Sequence, residues 1–167
     1  MKKLLLMVWL FMSLSVKPLF AEAVINKQAL DFKLMDSSGK EIKLSDFFPD
    51  KAVVLWVTNL CSGCQQGLLL LERLYGMHKE KIEFLAIVQP NVDTSKTQEI
   101  KDKLMISFSF LMDLKGGVSK RYGGVDAVGL CPLKNTFFID RKGIIREISH
   151  YPGLDEEEME QYLEPIL

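Results

Sequence analysis

The chain of 167 residues is short of several things at once. It has three cysteines and two histidines. A zinc site of four Cys and His ligands would need a second pair at metal spacing, and the sequence does not supply one. Charge of one sign is also missing. Lys and Arg total 21 against 22 Asp and Glu, a net charge of −1, and no lysine- or arginine-rich run occurs. That balance argues against nucleic acid or an anionic membrane surface as the partner. No internal repeat is visible, so one body is expected instead of an array. The first long apolar run, Leu4 to Val16, has thirteen residues. A membrane span needs about 20.

What remains is ordinary for a globular protein. Hydrophobic residues make up 48% and charged residues 26%, enough for one domain with a sizeable core. The beginning reads separately. Met1-Lys2-Lys3 is basic, the apolar run follows, and Lys17-Pro18-Leu19-Phe20-Ala21-Glu22-Ala23 comes next. This three-part layout predicts a secretory signal over residues 1–23, with Ala21-x-Ala23 as the cleavage site, and a domain over 24–167. Left uncleaved, the segment would tether the protein to a membrane. Removing it takes away Lys2, Lys3, Lys17 and Glu22, a net +2, and leaves a mature charge of −3. An extracytoplasmic, periplasmic location follows as the expectation.

The chemistry centres on one stretch. Val53-Val54-Leu55-Trp56-Val57 is apolar and rich in β-branched residues, as a buried strand is. It leads through Thr58-Asn59-Leu60 into Cys61-Ser62-Gly63-Cys64, and a leucine-rich helix pattern runs on to about Lys79. Two thiols are thus predicted on the turn between a strand and the first turn of a helix. Unpaired N–H groups and the helix dipole favour an anion there, and the thiolate is the reactive form of cysteine. Positions i and i+3 are neighbours on a helix, so the pair can close a small disulfide. Half of a zinc site, or two structural cysteines, are the alternatives. A bridge across so short a loop adds little stability and suits switching. Cys131 makes the count odd, which suggests a partner, a ligand role or a resolving role.

The rest alternates strands with helices. Asp31–Asp36 and Glu41–Leu44 read as a hairpin about the turn Ser37–Lys40. Ser45 is expected to cap a short turn that Pro49 ends. Ile82–Val88 reads as a second buried strand, and Thr94 or Ser95 as the cap of a helix ending at Lys103. Phe108–Asp113 is a short strand and Ser119–Tyr122 a short helix. Thr136–Asp140 and Ile144–Ile148 form a hairpin about Arg141–Gly143. Asp155 caps a last amphipathic helix, Glu156 to Leu163. The pattern is α/β: a central mixed sheet with helices on both faces and an N-terminal β-hairpin.

With these elements in place the chain resembles the thioredoxin superfamily. More narrowly, it is similar to the TlpA/ResA/CcmG-like reductases and to the AhpC/TSA peroxiredoxins. The residues that carry the resemblance are Val53–Cys64, Arg121-Tyr122-Gly123 and Thr136–Gly143. It implies a three-layer thioredoxin-like fold and a thiol-disulfide oxidoreductase that needs no cofactor or metal. Cys61 would attack and Cys64 would resolve the mixed disulfide. Thr58, Leu60, Cys131 and Pro132 would surround the pair on the substrate side. Exported protein disulfides or thiols are the implied partners, with electrons from a membrane-bound reductant. Two further readings stand beside it. A peroxiredoxin-like peroxidase with antioxidant activity would use Thr58 and Cys61. A Sco-like copper chaperone would use Cys61, Cys64 and Cys131.

Departures from the family patterns are informative. Leu60 stands where the reductases carry Trp. Gly67 stands where they often carry an acidic residue, and Leu55 where thioredoxin has a buried aspartate. An evident general acid/base is therefore missing. The peroxiredoxin pattern finds Val54 in place of proline and Lys134 in place of arginine. The cis-proline slot before Thr136 falls to Pro132 or Lys134. His78 is expected to cap the end of the long helix, and His150 to lie beside a surface turn.

Overall fold

The computed structural model describes residues 22–123 and 134–167. Cys131, Pro132 and the predicted signal up to residue 21 lie outside the described residues. In chain order the elements are β1 (Lys33–Asp36), β2 (Glu41–Lys43), β3 (Ala52–Thr58), α1 (Ser62–His78) and β4 (Ile82–Val88). Then come α2 (Thr94–Lys103), β5 (Ser109–Met112), α3 (Gly117–Arg121), β6 (Thr136–Ile139), β7 (Ile145–Ser149) and α4 (Glu156–Leu163). The strands form one mixed sheet in the order β2-β1-β5-β4-β3-β6-β7. Strands β3, β4 and β5 are parallel, and the other neighbours pair antiparallel.

Every residue of β3 is buried, which explains why its sequence is a continuous apolar run. The two-residue period divides it between two cores. Ala52, Val54 and Trp56 join Leu68, Leu71 and Leu74 of α1, with Met159 and Leu163 of α4. Val53, Leu55 and Val57 join Phe32, Leu44, Val118 and Tyr122 on the opposite face. The sheet is thus covered on both sides, as the alternating pattern predicted. α1 starts just beyond the carboxyl end of β3, where open α/β sheets present their crevices. Cys64, Leu68, Leu71 and Leu74 form its buried stripe.

Some local expectations change. The cap of α2 is Asp93, whose carboxylate accepts from the N–H groups of Ser95 and Lys96. An aspartate one position earlier reaches both orphan donors, so Thr94 and Ser95 become the first helical residues. Ser45 lies inside a short 3-10 turn, and its N–H donates to Asp31 Oδ1 at 3.0 Å. His78 does not cap α1; its ring contacts the Glu160 carboxylate at 3.0 Å, joining α1 to α4. Asp155 caps α4 as expected, in a reciprocal capping box with Glu158.

Candidate active site around Cys61 and Cys64

Cys61 is the N-cap of α1, and its sulfur accepts from the N–H of Cys64 at 3.4 Å. That is the place at which helix geometry favours a sulfur anion. Cys61 is exposed and Cys64 is fully buried. Their sulfurs are 3.1 Å apart, longer than a disulfide bond of about 2.0 Å, so this is the dithiol form. One sulfur therefore faces solvent while the other waits behind it at attacking distance.

The turn that delivers Cys61 is held by its own side chains. Leu60 has φ +51, a left-handed conformation that a leucine adopts at a cost of about 1–2 kcal/mol. Thr58 Oγ1 accepts the Leu60 N–H at 3.0 Å, and Gln65 Nε2 donates to the Leu60 carbonyl at 2.8 Å. Asn59 Oδ1 accepts the Cys61 N–H at 3.1 Å and lies 3.8 Å from Cys64 Sγ. Residue 60 is thereby forced out of the β-region, and the chain swings from strand to helix in three residues.

Against Gly67 of α1 stands a residue from the far end of the chain. Tyr151 is buried, and its O–H donates to the Gly67 carbonyl at 2.5 Å. Its backbone is pinned by Asn135, which accepts the Tyr151 N–H at 2.8 Å and donates to its carbonyl at 2.6 Å. Trp56 Nε1 donates to the same carbonyl at 3.2 Å. Burial, and then the charge of Cys64, push the Tyr151 phenol up to about 12. The next residue, Pro152, puts its ring within 3.9 Å of where a Cβ on Gly63 would sit. One loop thus reaches both the buried and the outer side of the dithiol turn.

An AhpC/TSA family model matches residues 25–148, the span that contains the sheet and both thiols. The chain belongs to the AhpC/TSA family. It is 31% identical over 142 residues to a thiol-disulfide oxidoreductase ResA from Halalkalibacterium halodurans, covering 84% of this chain and 76% of that protein. A putative thiol:disulfide interchange protein DsbE from Chlorobium tepidum matches with TM-score 0.71 at 23% identity, over 87% of this chain and 99% of that one. Peroxidoxin BcpB from Mycobacterium tuberculosis matches with TM-score 0.72 at 20% identity, over 87% and 97%. The fold is thioredoxin-like, and it is shared by disulfide-exchange proteins and peroxidoxins alike. Sequence kinship places this AhpC/TSA protein among the thiol-disulfide oxidoreductases.

For an AhpC/TSA protein the surroundings of the pair are distinctive. Thr58 and Leu60 are buried, so they shape the turn and do not present side chains to solvent. Cys131 and Pro132 lie outside the described residues, and Lys134 is exposed at their edge. Among the described residues no group of three His, Cys, Asp or Glu side chains could hold a metal. Where an acidic side chain would follow Cys64, Gly67 leaves a slot that the Tyr151 ring fills. A Cβ there would meet that ring at 2.5 Å. Sequence reasoning missed Asn59, Gln65 and Tyr151. The first two flank the motif and could have been found as polar residues beside a strained turn. Tyr151 lies 84 residues beyond the Gly67 carbonyl it bonds, and no local pattern announces it.

Proposed function

We propose that this protein is an exported thiol-disulfide oxidoreductase whose redox pair is Cys61 and Cys64. The observation that carries the reading is the split environment of the pair: a solvent-facing Cys61 at a helix N-cap, 3.1 Å from a buried Cys64. Cys61 thiolate attacks one sulfur of a substrate disulfide, forms a mixed disulfide and expels the first substrate thiolate. Cys64 then gives up its proton and attacks Cys61 Sγ. The Cys61–Cys64 bond forms, the second substrate thiolate leaves, and the substrate has gained two electrons. A dithiol donor at the membrane returns the pair to the reduced form. Thr58 and Leu60 contribute by holding the turn. The basic, apolar and small-residue layout of Met1–Ala23 supports export.

The experiment is reduction of a disulfide-bonded peptide by residues 24–167. Wild type turns over with a dithiol donor, C61S is inactive, and C64S accumulates the mixed disulfide. No loss of activity in C61S would overturn the reading. Titration in a glutathione redox buffer, with and without Cu(I), separates the copper-chaperone alternative. Protection of the thiols by Cu(I) would favour that alternative.

A further inference from the structure

A cavity of about 690 Å³ lies apart from the dithiol turn, where the N-terminal segment crosses from the end of α3 to β7. None of residues 58–65 lines it. The volume suits one small molecule. Two backbone bonds set its position: the Ala23 N–H donates to the Arg121 carbonyl at 3.0 Å, and the Asn26 N–H to the Ile145 carbonyl at 2.7 Å. Val24 and Ile25 lie between these anchors and stay 49% and 38% exposed. With Phe137 and Ile148 they give the cavity an apolar wall.

The charged part of the lining is mostly of one sign. Lys120 and Arg121 reach it from α3 and Lys134 from the approach to β6, against the single carboxylate of Glu22 among the described residues. Arg121 donates to the Asp31 carbonyl at 3.1 Å, a neutral acceptor that leaves its charge in place. The Asp31 carboxylate is engaged by Lys43 at 3.5 Å and does not line the cavity. Apolar walls lower the local dielectric, so cations beside them attract an anion more strongly than they would on an open surface. A ligand that satisfies both halves has an apolar body and one anionic head. Glu22 opposes that head, and Glu22 lies on the leader side of the predicted cleavage point. Cleavage after Ala23 removes its carboxylate and leaves a new α-ammonium on Val24, tethered two residues away by Asn26. That group is mostly protonated at pH 7, since an α-amino group titrates at about 7.7–8.0.

We propose that this cavity binds a small apolar carboxylate, attracted by Lys120, Arg121 and Lys134 and opposed by Glu22 until the leader is removed. The site goes beyond the oxidoreductase reading; only the effect of processing rests on export. The apolar body lies against Val24, Ile25, Phe137 and Ile148, and the head faces the cations. Processing thereby turns a mixed lining into one that is cationic throughout its described residues.

The test is an NMR titration of the full chain with octanoate, following the amides of Ile25, Gly123 and Phe137, which line the cavity. Octanoate should shift these amides to saturation. It should bind about fivefold or more tightly than octanol, which lacks the charge, and than inorganic phosphate, which lacks the chain. E22Q should tighten octanoate binding about two- to fivefold, and K134E should weaken it about fivefold or more. Both effects should shrink in about 1 M salt. Opposite changes from two exposed positions are not what a loss of folding produces. Equal binding of octanoate and octanol, or an affinity that neither E22Q nor K134E moves, would overturn the proposal. The exported, processed protein should bind octanoate at least as tightly as E22Q does. Processed protein that binds no tighter than the full chain would overturn the effect of processing. A chain that is not exported would count against the export reading instead, and E22Q and K134E still decide for the cavity.

Discussion

At the scale of single residues, the site depends on a backbone that leucine does not favour. Leu60 stays at φ +51 because both its polar groups are held, the N–H by Thr58 and the carbonyl by Gln65. T58V keeps the volume and removes the acceptor, so a buried N–H loses its partner. The expected cost is about 1–3 kcal/mol in urea unfolding, with a changed alkylation rate at Cys61, while T58S retains most of the stability. If Thr58 instead served peroxide chemistry, T58V would abolish peroxide reduction without altering the turn. The Cys61 and Cys64 environments were legible because a helix start puts its first position outward and its fourth inward. Asn59 was not, because its partners are set by the left-handed turn.

At the scale of elements, α1 gives a sign reversal that separates helix propensity from packing. Gly67 and Gly76 both lie inside α1, where alanine is ordinarily better by about 0.5–1 kcal/mol. A Cβ at 76 meets nothing within 4 Å, whereas one at 67 collides with the Tyr151 ring. G76A should therefore raise stability by that amount. G67A should lower it by about 1–3 kcal/mol. Equal gains in both, read by thermal unfolding, would mean that Tyr151 does not occupy the slot.

The β6–β7 hairpin carries a pH-dependent contribution. Burial works to raise the Asp140 carboxyl, but the Ile144 N–H, Arg146 and the Lys142 N–H outweigh it and hold it below the usual carboxylate range. A group lowered in the folded state stabilises above its unfolded value near 3.9 and loses that contribution as pH falls through the folded value. D140N should cost about 1–3 kcal/mol at pH 7. The gap to wild type should close as unfolding is repeated below about pH 4.

At the scale of the whole molecule, residues on both sides of the predicted cleavage point are tied to the folded body. Ala23 N donates to the Arg121 carbonyl, Asn26 N to that of Ile145 and Ala29 N to that of Gly143. Cleavage after Ala23 removes only the first of these anchors. Exported protein should therefore give Val24 on N-terminal sequencing, and residues 24–167 should melt within a few degrees of the full chain. A large loss of stability on removing residues 1–23 would show that the leader is part of the folded body.

The sequence by itself determined the α/β class, the strand-to-helix placement of Cys61 and Cys64, and the capping of α4 by Asp155. All three depend on neighbours within a few positions, where periodicity and capping chemistry act. Tertiary structure decided the rest. It paired His78 with Glu160 in place of a helix cap, because the end of α1 lies against α4. It also turned the missing acid at Gly67 into a seat for Tyr151. Which side chain fills an empty volume depends on what the sheet brings together from distant parts of the chain. Here β3, β6 and the loop after β7 meet only once the sheet has formed, and no local pattern encodes that meeting.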